Sequence, residues 1–281
     1  MGRRCRIGLA AKSPSRRVHC RGRRGSRVAS DSVRRLGGPR PGRGDMKLLA
    51  IGTSTPGSSV ALVQNRTTLA AASRIDRVGH ASFLVPAIDF CFHQVGWSPQ
   101  DLDGVVIDVG PGLYTGTRVG LATAQGLAAA FGIPLIPALS VDALALEART
   151  GHRMIWALVD VRRGEFAVAT YRPVPGGVVK EGSTELLKPE VLRAMLQSSP
   201  DQSLVVGDVG ALPDGFFRGM SEVKTGRPRY PYAVALAEIG HGRLEARDFP
   251  PPDDIRPLYL REPDVTINWS KLRKEGPWGS A

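Results

Sequence analysis

From Lys47 onward, short apolar runs alternate with turn residues at intervals that fit a hairpin-rich sheet. Lys47 to Ile51, Ser59 to Gln64 and Thr67 to Ser73 read as three successive strands, joined at Pro56-Gly57 and Asn65-Arg66. A helix follows over Gly79 to Val95. Leu84, Ile88, Cys91 and Val95 recur along it at 4-3-4 spacing, with Phe83, Ala87 and Phe90 as a neighbouring stripe. Pro86 falls in its first turn or else kinks it. Gly104 to Val109 is a buried strand of β-branched residues, and Gly110-Pro111-Gly112 turns the chain. From Thr115 the period becomes helical up to Phe131, where Gly132 and Pro134 end it. Gly116, Gly120, Ala124 and Ala128 recur every fourth residue, so one edge of this helix admits a closely packed neighbour. Leu135 to Ala138 and Val141 to Ala148 add a strand and a helix.

A looser copy of the same order begins at Met154. Met154 to Asp160 and Glu165 to Tyr171 form a hairpin-like pair around Arg162-Arg163-Gly164, and Val178 to Thr184 adds a third strand. Pro189 to Gln197 is helical, Leu204 to Val206 extended and Tyr232 to Arg243 helical. The pattern predicts an α/β protein of two related lobes, with the second degraded. The expected divisions are a leader over 1–45, a first lobe over 46–150, a second over 151–262 and a tail over 263–281.

Charge changes the picture only at the beginning. Of the 38 basic and 26 acidic residues, 14 and 2 lie in residues 1–45, so the rest of the chain carries 24 of each. The leader, rich in Arg, Gly, Ser and Pro, cannot bury enough apolar surface to fold alone, and disorder is expected. Three readings compete for it: a basic arm on RNA phosphates, an organelle transit peptide, or an over-extended start with the natural chain beginning at Met46. Cys5, Cys20 and Cys91 have no paired spacing, so neither a disulfide framework nor a thiolate metal site is implied. No segment approaches the length of a membrane span, and a cytoplasmic setting is expected.

The run from Gly110 to Ala128 resembles the signature of the TsaB (YeaZ) family. Leu49-Ala-Ile-Gly-Thr-Ser-Thr55, Ser59-Val-Ala-Leu62, His80 with Leu84-Val-Pro-Ala-Ile88, Leu139-Ser-Val-Asp-Ala-Leu144, Asp160-Val-Arg-Arg-Gly-Glu165 and Pro257-Leu-Tyr-Leu-Arg261 also match, in the family's order. The resemblance implies the actin-like, sugar-kinase fold of two RNase-H-like halves. It further implies a non-catalytic scaffold that dimerises with a catalytic relative, TsaD, which transfers threonylcarbamoyl to the adenosine next to the anticodon of tRNA. An ATPase, TsaE, joins that complex. ATP and Mg²⁺ are then expected in the complex, with no cofactor assigned to this chain.

In active members of the fold the first hairpin carries an acidic residue near the nucleotide phosphates, and the matching position here is Gly52. Thr53, Ser54 and Thr55 form a possible phosphate loop, though hydroxyls alone hold no cation. The relative's His-x-x-x-His metal pair is missing, since no two of His19, His80, His93, His152 and His241 are four apart. Asp108, Asp142 and Asp160 stand near strand ends where a cleft could form, and acidic residues there also cap helices. His80 reads as an exposed or capping side chain, or else as a contact to a partner or ligand. The partner surface expected from periodicity comprises Phe83, Leu84, Ala87, Ile88 and Cys91 with Gly116, Gly120, Ala124 and Ala128, the competing reading being burial in the monomer. Without TsaD, self-pairing through the same face is expected. The alternative function is an ATP-dependent transferase or ATPase working through its own cleft.

Overall fold

The computed structural model describes residues 35–36, 45–149 and 151–261. The leader other than Arg35, Leu36 and Asp45, and the tail from 262, lie outside the described residues, as do the expectations made for them.

The first half opens with an antiparallel meander of β2 (Lys47–Gly52), β3 (Gly57–Gln64) and β4 (Thr67–Ile75). Then come α1 (His80–Val95), β5 (Gly104–Asp108), α2 (Tyr114–Phe131), β6 (Leu135–Ala138) and α3 (Ser140–Glu147). The sheet order is β4-β3-β2-β5-β6, with β2, β5 and β6 parallel. Every residue of β5 is buried. Helices cover both of its faces, which is why it reads as an unbroken apolar run rather than an alternating one. Gly96 and Gly132 end α1 and α2 in the left-handed conformation, at φ 73° and 63°.

The second half repeats the order with β7 (Met154–Asp160), β8 (Phe166–Val174), β9 (Gly177–Leu187), α4 (Pro189–Ser198), β10 (Ser203–Gly207), β11 (Val223–Thr225) and α5 (Ala233–Ala246). Its sheet runs β9-β8-β7-β10-β11, and a two-residue strand β1 (Arg35–Leu36) extends it antiparallel to β9. Both halves thus share the RNase-H-like order of the actin-like fold. The degradation expected of the second lobe falls on its helices, α4 having 10 residues where α1 has 16. Its sheet is complete, while the β10–β11 crossover holds a 3-10 turn at Val209–Ala211 where the first lobe has the 18-residue α2. The sequence reading missed β1 and β11. Pro86, expected in the first turn of α1 or else at a kink, lies beyond the first turn of the helix that starts at His80, on its exposed side.

Three apolar clusters divide the molecule. Leu49, Ile51, Leu62 and Ile107 of the first sheet pack under α1 and α2. The other face of that sheet, through Leu48, Ala50 and Val106, joins α3, α5 and Ala157, Val159 and Tyr171 of the second sheet in one central core. Leu192 and Leu196 of α4 close the outer face of the second sheet. Among the described residues no helix is long and apolar enough to cross a membrane.

Candidate functional site

The expected phosphate loop is closed. Thr53, Ser54 and Thr55 are buried, and each hydroxyl is committed within the chain. Thr53 donates to the Gly116 carbonyl at 2.7 Å, Thr55 donates to the Gly57 carbonyl at 3.2 Å, and Ser54 donates to Asp108. The Ser54 carbonyl accepts from Leu113 N–H at 2.5 Å, and Ser140 donates its hydroxyl to the Pro111 carbonyl at 2.6 Å. A Cβ on Gly112 would lie 2.0 Å from the Ser54 carbonyl oxygen, so the structural turn at Gly110, Pro111 and Gly112 sits directly on the loop. Gly52, in the position of the fold's phosphate acid, faces Leu236 of α5, 3.0 Å from where its Cβ would be. These residues do not fit a Mg²⁺-bound phosphate, because no oxygen among them is both charged and accessible. The phosphate-loop expectation is therefore corrected to a packing contact.

Asp108 shows what this closure does electrostatically. It is fully buried, and desolvation pushes its carboxyl up to about 6, against the Ser54 hydroxyl and the Gly110 N–H, which favour the anion. Asp142 is also buried, but it points to the second sheet, where Tyr171 donates to it at 2.6 Å. Asp160 accepts from Arg162 N–H at 2.7 Å, and its own N–H donates to Asp208 at 2.9 Å. The three acids named from sequence thus serve three separate contacts. His80 is buried rather than capping: its Nδ1 lies 2.7 Å from Ser58 Oγ, Nε2 has no hydrogen-bond partner, and burial lowers its pKa.

The helical surface also needs correction. Leu84, Ala87, Ile88 and Cys91 are buried under α1, and Phe83 is partly covered. Gly116, Gly120, Ala124 and Ala128 are buried too, on the inner side of α2. A Cβ on Gly116 would stand 2.0 Å from the Thr53 carbonyl oxygen, and one on Gly120 would stand 2.2 Å from Thr53 Oγ1. The closely packed neighbour that the small-residue edge admits is the chain's own first hairpin. About half a turn round α2 runs a second row of small residues, Ala122, Gly126 and Ala129, all exposed, and around a Cβ on Gly126 there is open space. On α1 the outward residues include Val85 and Phe90, 62% and 50% exposed, the largest apolar groups left uncovered on that helix. The missed row was visible as a second spacing of four at 122 and 126. Periodicity alone gave no reason to prefer it.

One further assembly joins the lobes. Residues 255–261 run across both. Ile255 is buried with the α1–α2 cluster, Leu258 N–H donates to the Val109 carbonyl at 2.7 Å, and Leu260 packs on the central core. Tyr259 stacks on Tyr114 with ring centroids 5.3 Å apart and accepts from Arg118 Nε at 2.9 Å. Arg261 then pairs with Glu165 in the β7–β8 turn.

Residues 74–200 match the family model described as TsaD, tRNA N6-adenosine threonylcarbamoyltransferase. The chain is 29% identical over 231 residues to the tRNA threonylcarbamoyladenosine biosynthesis protein TsaB of Escherichia coli, covering 81% of this chain and 98% of that one. Against the protein of the same name from Bacillus subtilis it is 30% identical over 239 residues, covering 82% and 100%. Among solved structures, YeaZ from Pseudomonas aeruginosa superposes with a TM-score of 0.66 at 24% identity, over 76% of this chain and all of that one, which shows the shared fold. Two lobes of one strand order, the glycine-lined turn and helix, and a relative matched from end to end place the chain in the TsaB family of tRNA threonylcarbamoyladenosine biosynthesis.

Proposed function

We propose that this protein is a non-catalytic scaffold that pairs with a TsaD-like catalytic subunit through the outward faces of α1 and α2. The observation that carries the reading is Val85 and Phe90 uncovered on α1, on the same side of the first sheet as the exposed Ala122, Gly126 and Ala129 row of α2. Small residues let a second helix pair approach closely, and large apolar ones supply the area that drives association. The match of residues 74–200 to the TsaD family supports a partner built on the same two helices, so that the four would pack as a bundle. Transfer chemistry, ATP with Mg²⁺ and the contact with tRNA would then belong to the catalytic subunit and a TsaE-like ATPase. The committed hydroxyls of Thr53, Ser54 and Thr55 favour this over an ATP-dependent transferase using its own cleft. In the absence of the partner the same face would pair two copies of this chain.

Co-purification of Phe90→Asp and Gly126→Leu with a TsaD-like subunit tests the assignment. Both variants are expected to remain folded and to lose the partner. Folded variants that still bind it would place the interface elsewhere.

A further inference from the structure

A hollow of about 250 Å³ opens between β3, β4 and the start of α5, away from the helical face just described. It exists because the residues that meet there are small. Ser59 and Ser73 are paired across β3 and β4, and Ala233 begins α5 over them. The Ala233 N–H donates to Ser59 Oγ at 2.9 Å, which fixes the helix start above β3 and leaves Ala71 and Ser73 of the edge strand β4 without a large side chain opposite. Tyr232 forms one wall. Val234 continues that wall along α5, and the one charged side chain lining the hollow is Glu147, in the last turn of α3.

Glu147 is the feature that gives the hollow a chemistry. Burial pushes its carboxyl up to about 7, and the cation that offsets this is Arg149. Arg149 is itself engaged, donating to Glu238 of α5 at 3.0 Å and to the Leu146 carbonyl at 2.9 Å. Glu147, Arg149 and Glu238 together hold two negative charges against one positive when ionised. Ser59, Ala71, Ser73, Tyr232 and Ala233 bring no charged side chain to the hollow. The end of α3 adds to the imbalance, because the last carbonyls of a helix favour a cation beside them. A half-buried carboxylate in such a place gains most from a ligand that brings an N⁺–H donor with an apolar body.

We propose that this hollow binds a small aliphatic ammonium ion, its nitrogen on the Glu147 carboxylate and its alkyl group against Ala71, Ala233 and Tyr232. The ligand stays protonated across neutral pH, so the proton that matters is the one on Glu147. Binding strengthens as pH rises through 7 and the carboxyl ionises, and it weakens on the acid side.

The test is a titration of the full chain with isobutylammonium chloride at constant ionic strength, followed by amide NMR shifts at pH 8 and pH 6. Saturable shifts centred on β3, β4 and α5 are expected at pH 8, with an affinity about tenfold weaker at pH 6. Glu147→Gln should lose a similar factor at pH 8, as should replacing the amine by isobutanol. Ala71→Leu should block binding by filling the space, and if it fails to fold the Glu147→Gln arm still decides. Non-saturable shifts, unchanged affinity in Glu147→Gln, or equal binding of isobutanol would each overturn the proposal. None of these outcomes bears on pairing with a TsaD-like subunit, since the hollow and the outward faces of α1 and α2 are formed by different residues.

Discussion

The two lobes carry the same five-strand order, and each has an acid at the end of its fourth strand, buried in the first lobe and partly exposed in the second. Asp108 closes β5 and Asp208 follows β10, and burial pushes both carboxyls up to about 6. Around these acids the lobes diverge. Asp108 is met by a hydroxyl from the β2–β3 loop and sits under an 18-residue helix, whereas Asp208 is met by the Asp160 N–H and sits beside a 3-10 turn. The comparison teaches that a lobe can keep its sheet while losing a crossover helix, because the central core packs one face of that sheet and α4 with Leu212 and Phe216 still packs the other. The first lobe kept α2, and α2 is held from within by the same loop that would otherwise meet a phosphate.

The strongest way to break that comparison is to disturb the seat of α2. Gly116→Leu drives a side chain into the Thr53 carbonyl, where backbone cannot give way, and is expected to cost about 3 kcal/mol or more. Urea denaturation of the full chain measures it. Gly126→Leu, on the opposite side of the same helix, meets nothing within 4 Å and gains helix propensity of about 0.5 to 1 kcal/mol. It should melt at or above the parent temperature while failing to bind the partner. Equal stability of the two variants would remove the distinction between the inner and outer rows.

That distinction marks the limit of what the amino-acid order reveals. The strand and helix positions were legible because apolar period and turn residues act locally, and β6 and β7 were read to the residue. The repeat was legible because the same order of elements recurs. Which small-residue row of α2 faces home was not, since rows at 116-120-124 and at 122-126 have the same period. Thr55 is settled locally by Gly57, but the fate of Thr53 and Ser54 depended on Gly112, Gly116 and Ser140, which the chain supplies 58 or more residues away. Residues 255–261 have no periodicity at all, and their contacts are set one by one.

A smaller and sharper probe uses the two acids. A carboxyl whose pKa is raised on folding binds its proton more tightly in the native state, so native stability falls as pH rises from about 4 to about 6 and stays lowered above that. For Asp108, shifted from 3.8 to about 6, the loss amounts to about 2 to 3 kcal/mol. Asp108→Asn should flatten the stability profile between pH 4 and 6, and Asp208→Asn should flatten it less, because Asp208 is the less buried of the two. Melting temperatures across that range, with the parent chain as reference, check both. A profile unchanged by Asp108→Asn would mean that the hydroxyl of Ser54 and the N–H of Gly110 hold the anion well enough to cancel its burial.

The lobes are also tied together, and the tie can be loosened without entering either core. Leu258 and Tyr259 hold to Val109 and Arg118 in the first lobe, while Arg261 reaches Glu165 in the β7–β8 turn of the second. Glu165 is largely buried, so removing Arg261 leaves a carboxylate with its main partner gone. The pair is still reached by water, which screens it, and Arg261→Ala is expected to cost about 1 kcal/mol. Tyr259→Ala should cost a similar amount by releasing the stacked Tyr114 and the Arg118 contact. The two losses are distinguishable by where they act. Amide hydrogen exchange should quicken in the Arg162–Gly164 turn for Arg261→Ala and in the first turn of α2 for Tyr259→Ala. Faster exchange in both places for either variant would mean that residues 255–261 act as one rigid strap, and that a partner docking on α2 is felt in the second lobe.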